Sequence, residues 1–247
     1  MPDDLDLLRK ENEELKNQNA VKSDLISISA HQLRTSLSAV KWILKMFLDG
    51  DFGTLTPEQA TFVKKAFESD ERMITLVNEM LSINHAEDTL NALHTSATDL
   101  VKLLDEVVFD FTGESYKLGI ELIFLKPDHA LPTVTVDPEK IRVVMQNLIE
   151  NAIKYSDKGS RVFVNIREDE KNIEISVRDT GIGIEEKDQP RIFEKFFRAE
   201  NAQKQNSIGS GLGLYTIKRI VESHNGKLWF ESKAGEGTTF HVSLPRA

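Results

Sequence analysis

Apolar side chains recur at three-four spacing through about the first ninety residues, the pattern of helices with one buried stripe. Leu5, Leu8, Asn12, Leu15 and Asn19 make a first stripe, interrupted by its asparagines as in a short coiled coil. Ile26, Ala30, Leu33, Leu37, Val40, Leu44 and Phe47 make a second, cleaner one. The two join across Lys22 to Ile26 with one residue too many, a phase slip that locally changes supercoiling. Gly50 and Gly53 then break the pattern, and Thr56-Pro57-Glu58 supplies an N-cap, a first-turn proline and an acid near the positive end of the helix dipole. The helix that follows carries Val63, Phe67, Ile74, Val77 and Leu81, with Asp70 as one polar intrusion. The spacing predicts an antiparallel hairpin of two long helices. A hairpin has too little core of its own, so two copies are expected to pair into a four-helix bundle and the protein to be a homodimer.

Beyond the hairpin the periods change. Asn84 to Ala97 is polar, lacks periodicity and reads as a linker. Thr98-Asp99 caps a helix carrying Leu100, Leu103, Leu104, Val107 and Val108. Strand-like runs follow near Ile120–Phe124 and Thr133–Val136, then a helix over Pro138–Tyr155 and alternating strands at Arg161–Arg167 and Asn172–Arg178. A helix over Leu214–Ser223 and strands at Lys227–Ser232 and Thr238–Leu244, joined through Gly235 and Gly237, close the chain. The fold class is therefore α+β: a helical hairpin, then an α/β sandwich with one sheet under a layer of helices.

Composition narrows the function classes without choosing among them. The chain has 247 residues, 31 Lys+Arg against 40 Asp+Glu, and a formal net charge of −9. That balance argues against sequence-blind binding to nucleic acid. The longest uninterrupted apolar run, Leu122 to Leu125, falls far short of the roughly 20 residues of a membrane span, and the acidic Met1-Pro2-Asp3-Asp4 does not read as a secretory signal. With no cysteine there is no disulfide framework, thiolate metal site or cysteine nucleophile, which suits a reducing, cytoplasmic setting.

Four constellations are candidates for chemistry. His31 falls just off the second stripe, with Thr35, Ser38, Trp42 and Lys45 on the same outward face; neutral imidazole there is either an ordinary surface histidine or a nucleophile. Asn147, Asn151 and Lys154 share a helix face opposite Leu148, Ile149, Ala152 and Ile153, and Tyr155 follows. Two carboxamides and an ammonium suit a hydrated Mg²⁺ with phosphate oxygens, or equally a solvated face. Asp179-Thr180-Gly181-Ile182-Gly183 follows a strand, where a carboxylate can accept from an exocyclic amine and two glycines permit close backbone approach, or equally where a β-turn binds no ligand. Gly209-Ser210-Gly211-Leu212-Gly213-Leu214 opens a helix as an amide cradle for polyphosphate. The polar segment before it, Ala199 to Ile208, reads as a mobile lid.

The order of these motifs, from about Leu25 to Pro245, resembles a sensor histidine kinase of a two-component system, in the GHKL ATPase superfamily. His31-Gln32-Leu33-Arg34-Thr35-Ser36-Leu37 is similar to the phospho-acceptor box and Asn147 to Tyr155 to the N box. Asp179 to Gly183 resembles the first glycine box, Ile192-Phe193-Glu194-Lys195-Phe196-Phe197-Arg198 the phenylalanine box, and Gly209 to Gly213 the second glycine box. The resemblance implies a coiled-coil signalling helix over 1–22, a dimerisation and phosphotransfer domain over 23–90, a linker over 91–97 and a Bergerat-type ATP-binding domain over 98–247. It implies that His31 Nε2 attacks the γ-phosphate of ATP, that Asn151 ligates Mg²⁺ with Asn147 in support, and that Lys154 meets phosphate while Tyr155 flanks the nucleotide. Asp179 would bind the adenine amine. Gly181, Gly183, Gly209, Gly211, Gly213 and the adjoining Leu214 would complete the nucleotide site, and Arg198 would stabilise charge on the transferred phosphate. Thr35 would position the water that hydrolyses the phospho-aspartate of a partner response regulator.

Two positions depart from the family pattern. Gln32 stands at the catalytic position after the histidine, where Glu is common, and cannot ionise. Ser36 replaces a proline and removes the kink that residue would impose. A nucleotide-binding pseudokinase acting as a dimeric interaction module is therefore an alternative. An ATPase of the chaperone or DNA-repair kind fits less well, since those lack an outward histidine in an upstream hairpin. The expected setting is the cytoplasm, for a soluble kinase or for the cytoplasmic portion of a receptor whose sensor region lies outside this sequence.

Overall fold

A computed structural model describes residues 29–30, 32–89, 93–205 and 209–246, which form two compact units dividing between Asp88 and Thr89. The coiled coil expected over 1–22, the slip at Lys22 to Ile26 and His31 lie outside the described residues. Among the described residues no helix is long and apolar enough to cross a membrane.

The first unit is a helical hairpin. Helix α1 is helical at 29–30 and 32–49, and α2 covers Pro57–Thr89. At Ser36 the helix is unbroken, and the Ser36 hydroxyl donates to the Gln32 carbonyl one turn back at 3.0 Å. Thr56 caps α2 reciprocally with Gln59: Gln59 N donates to Thr56 Oγ1 at 3.2 Å and Thr56 N to Gln59 Oε1 at 2.9 Å. The apolar stripe of α1 splits between two surroundings. Ala30 is 1% exposed and packs with Val77 and Leu37, whereas Leu33 and Val40 on the alternate turns are 50% and 45% exposed. Asp70 is buried in α2, and neither carboxylate oxygen has a hydrogen-bond partner among the described residues. Burial raises its acid above the ordinary range, against the opposing charge of Lys41.

The stretch Asn84 to Ala97 is not one long linker. Helix α2 continues to Thr89, and Ser96–Thr98 forms strand β1, antiparallel to β3 (Val134–Val136). Three small residues are too few to show an alternating pattern, so β1 becomes visible only through its partner.

The second unit places three helices on one face of a five-stranded sheet. Helix α3 (Leu100–Leu118) starts where Asp99 accepts from Val101 N and Lys102 N, and stops at Gly119, left-handed at φ 70. Strand β2 (Glu121–Leu125) lies parallel to β4 (Arg161–Glu168); β5 (Asn172–Asp179), β7 (Gly237–Pro245) and β6 (Lys227–Lys233) continue antiparallel, in the order β2-β4-β5-β7-β6. Alternation sets the core. Val162, Val164 and Ile166, Ile173, Ile175 and Val177, and Phe240, Val242 and Leu244 are all buried, and register pairs Val164 with Val177 and Ile175 with Val242. Helix α4 (Pro138–Lys154) covers them with Ile141, Met145, Leu148 and Ile149, and α6 (Gly213–Ser223) with Ile217 and Val221.

A buried polar lock fixes the start of α4. Asp137 caps it by accepting from Lys140 N at 3.2 Å, and its other oxygen accepts from His94 N at 3.0 Å. Asp137 N donates to His224 Nε2 at 3.0 Å, and His224 Nδ1 lies 2.8 Å from the Ile220 carbonyl, so Nε2 accepts and Nδ1 donates. Nothing in the sequence pattern had marked His224.

Candidate functional site

The site forms where the last turns of α4 meet both glycine segments. The apolar side of α4 is pinned to the sheet by Leu148, Ile149, Ala152 and Ile153, which turns Asn147, Asn151 and Lys154 to the opposite side. Asn151 Nδ2 donates to Asn147 Oδ1 at 3.2 Å, leaving the Asn151 oxygen directed away from its neighbour. Gly213, the first residue of α6, packs on this pair: a Cβ there would fall 2.5 Å from Asn147 Oδ1. The second glycine segment thus closes against the asparagine face.

Gly209 gathers the cations. A Cβ on it would lie 3.2 Å from Lys154 Nζ, and Arg198 donates from Nη1 to the Gly209 carbonyl at 3.2 Å. Lys154 Nζ also stands 5.5 Å from the Tyr155 ring centroid. Gly211, left-handed at φ 74, lies under the backbone of Phe196 and Phe197, where any side chain would clash with the Phe197 carbonyl at 2.5 Å. Leu214 is partly buried against the core.

At the other end of the site Asp179 terminates β5. Its Oδ1 accepts from Gly181 N at 2.9 Å and Thr238 N at 3.1 Å. Burial pushes its acid up to about 6, the backbone donors Gly181 and Thr238 only partly opposing this. Gly181 lies so close to the end of α4 that a Cβ would sit 2.1 Å from the Tyr155 carbonyl, and Gly183, at φ 63, is equally close to the Lys233 carbonyl.

Asn147, Asn151, Lys154, Tyr155, Asp179, the five glycines, Leu214 and Arg198 therefore belong to one neighbourhood in the second unit. Gln32 and Thr35 are exposed on α1 in the first unit, as are Ser38, Trp42 and Lys45. Sequence reasoning missed the supports of Asp179. Thr238 donates to it, and Gly237, at φ 105, lets its carbonyl approach; Gly235 and Gly237 had read only as a hairpin joint. It missed Ser232 and Gln189 as well, which bond the backbone of Ile184. The segment read as a lid is in part a short helix, α5 (Glu200–Gln205), and Ala199 before it is buried; 206–208 lie outside the described residues.

Among the described residues no group of three or more His, Cys, Asp or Glu could hold a metal ion. A cation with a full protein cage is not what this site suits. The carboxamide oxygens of Asn147 and Asn151 beside two cationic side chains fit Mg²⁺ that arrives with phosphate oxygens and keeps part of its water shell.

Comparison with known proteins follows the same division. The model of the His Kinase A (phospho-acceptor) domain matches residues 21–89, and that of the histidine kinase-, DNA gyrase B- and HSP90-like ATPase matches residues 136–247. The circadian input-output histidine kinase CikA of Synechococcus elongatus is 33% identical over 230 residues, 92% of this chain and 30% of that protein. The sensor histidine kinase WalK of Bacillus subtilis is 31% identical over 94% of this chain and 38% of its own length. The adaptive-response sensory kinase SasA of Crocosphaera subtropica is 31% identical over 99% of this chain and 65% of its own length. The chain thus spans between 30% and 65% of these three relatives. Among solved structures, full-length ShkA in complex with AMPPNP superposes with a TM-score of 0.68 at 26% identity, over 91% of this chain and 46% of that one. The nucleotide-free catalytic domain of ThkA superposes with a TM-score of 0.54 at 26% identity, over 62% of this chain and 96% of that one.

Proposed function

Because the chain belongs to the sensor histidine kinases, with a phospho-acceptor domain followed by the ATPase domain of that family, we propose that it transfers the γ-phosphoryl group of ATP to His31 and then to an aspartate of a response regulator. The observation that carries this reading is the meeting of Asn147, Asn151, Lys154, Arg198 and Asp179 around the end of α4, in a chain whose upstream hairpin holds the phospho-acceptor match. ATP lies with its adenine amine on Asp179 and its phosphates toward Lys154, Arg198 and the amides of Gly209 to Gly213. Asn151, supported by Asn147, holds Mg²⁺, which neutralises phosphate charge when bound. His31 Nε2 forms the new P–N bond as the bond from the γ-phosphorus to the bridging oxygen breaks and ADP departs; the imidazole then loses its Nδ1 proton. Gln32 cannot take that proton, so another group or water accepts it. Thr35 places the water for hydrolysis of the regulator's phospho-aspartate, in the cytoplasm where ATP and the receiver domain are found.

Asn151→Ala is expected to lower phosphate incorporation from γ-labelled ATP by at least about a hundredfold, measured as acid-labile label per protein. The pseudokinase alternative rests on Gln32 and on the unkinked helix at Ser36. Saturable nucleotide binding by the wild type with no label at all would select it.

A homodimer is supported by the exposed half of the α1 stripe, Leu33, Val40 and Phe47, with Ile43 beside it. Four large apolar side chains on one helix face call for a partner surface. Val40→Glu, which places a charge in that stripe, is expected to shift the protein from dimer to monomer, as read by sedimentation equilibrium or light scattering.

A further inference from the structure

The backbone of Ile182 to Ile184, at the end of the first glycine box, is held by five neighbouring residues. Ile182 N donates to the Tyr155 carbonyl at 3.1 Å, and the Ile182 carbonyl accepts from Gly235 N at 2.8 Å. Ile184 N donates to Ser232 Oγ at 2.9 Å, and its carbonyl accepts from Gln189 Nε2 at 3.1 Å. The carbonyl between them, that of Gly183, accepts from Asn201 Nδ2 at 2.9 Å. Of these partners, Asn201 alone lies in the segment that follows Arg198.

That segment is itself a closed turn. Gln203 N donates to the Ala199 carbonyl at 3.1 Å, and Gln203 Nε2 to the Arg198 carbonyl at 2.8 Å. Its outer side is tied by Glu200, which bonds Asp188 through its backbone amide at 3.3 Å and Lys187 through its carboxylate at 3.3 Å. Those contacts are exposed and screened by water, so they add little; the Asn201 bond is part-buried and is the inner anchor. Arg198, at the head of the turn, donates to the Gly209 carbonyl. Three residues therefore connect the side chain at the phosphate end of the site to the carbonyl beside the adenine end.

We propose that Asn201 is a positioning residue for phosphoryl transfer. Its carboxamide, held by the Gly183 carbonyl, fixes the turn 198–203 and through it aims the Arg198 guanidinium at the transferred phosphate. This rests on the reading of His31 as acceptor and Arg198 as the charge-stabilising group. In this reading Asn201 acts through Arg198 and not on the reacting atoms. Asn201→Asp isolates the effect: it keeps size and shape, and the oxygen that accepts from Ala202 N at 2.9 Å, but sets a carboxylate oxygen against the Gly183 carbonyl.

The test compares the full chain, Asn201→Asp, Arg198→Ala and the double variant by initial rates of His31 labelling over a range of ATP concentrations. Asn201→Asp is expected to lower kcat about tenfold with KM within about twofold, and to cause no further loss in the Arg198→Ala background. A kcat within twofold of wild type, a rise in KM alone, or the same fold loss on top of Arg198→Ala would each overturn the proposal. Hydrogen exchange of amides 199–205 without nucleotide is independent of activity. If the wild type takes up no label, the functional reading fails, and exchange still decides the tether: faster in Asn201→Asp supports it, unchanged overturns it.

Discussion

Asp179→Asn is expected to lose nucleotide binding and to melt at a higher temperature than the wild type. The two effects share one cause. Burial holds the Asp179 acid at about 6, above its ordinary 3.8, so at neutral pH the folded chain keeps a carboxylate where a neutral group is more stable. The sign follows from linkage: stability from this group is fully present below about pH 4, where it is protonated in both states, and is lost as pH rises through about 6. Two pK units correspond to about 3 kcal/mol as an upper bound, which for a domain of this size raises the melting temperature by at most about 10 °C when the charge is removed. Asparagine keeps the oxygen that accepts from Gly181 N and Thr238 N, so the fold keeps its bonds. On the proposed placement of ATP, what it changes is the other arm, where an amide donor would face the adenine amine, itself a donor. Unpaired buried donors are poorly tolerated, and affinity for ATP is expected to fall at least about a hundredfold. Thermal melts and titration with a fluorescent nucleotide check both halves; a lower melting temperature, or affinity within threefold of wild type, contradicts the account. In the wild type, affinity is expected to weaken as pH falls from 8 to 5, because the amine needs the ionised acceptor.

Gly237→Ala is expected to be strongly damaging, as a single methyl added beside Asp179. The new Cβ would fall 2.2 Å from the Asp179 carbonyl oxygen and 2.9 Å from Thr180 Cα, at a φ of 105 that L side chains rarely adopt. Both obstacles are backbone at the end of a central strand, so relief must displace Asp179 or break its bond from Thr238. Overpacking and backbone strain together are expected to cost more than about 3 kcal/mol and to weaken nucleotide binding as well. Gly235, two residues earlier in the same turn, is the control. Its φ is 79 and a Cβ there meets nothing within 4 Å, so Gly235→Ala carries only the strain, about 1 kcal/mol. Urea denaturation of the two variants should separate them clearly; equal midpoints would contradict the close approach at Gly237.

These contrasts mark the limit of what is legible in the amino-acid sequence. The asparagine face of α4 could be read because a helix with four apolar residues on one side must turn Asn147, Asn151 and Lys154 to the other. Asp179 and the glycine pairs could be read because local spacing and order carried them. Gly237, Thr238, Ser232 and Asn201 could not, since their partners lie as far away as 59 residues and depend on the order in which strands pair. The same holds for β1, hidden until Val134–Val136 lies beside it, and for His224, whose role is defined by the cap of a different helix. In the hairpin the stripe was legible but its division was not. Spacing alone placed Leu33 and Val40 with Ala30 and Leu37, and only the packed hairpin separates the inner half of the stripe from the half left exposed.

The central claim is that the nucleotide site around Asn151 and Asp179 serves His31. Its most direct measurement is the location of phosphate after incubation with γ-labelled ATP and Mg²⁺, by peptide mapping under neutral conditions in wild type and His31→Ala. The account predicts one labelled peptide containing His31, with label lost in acid and absent from the variant. Equal labelling of His31→Ala, or label on any other residue, would contradict it.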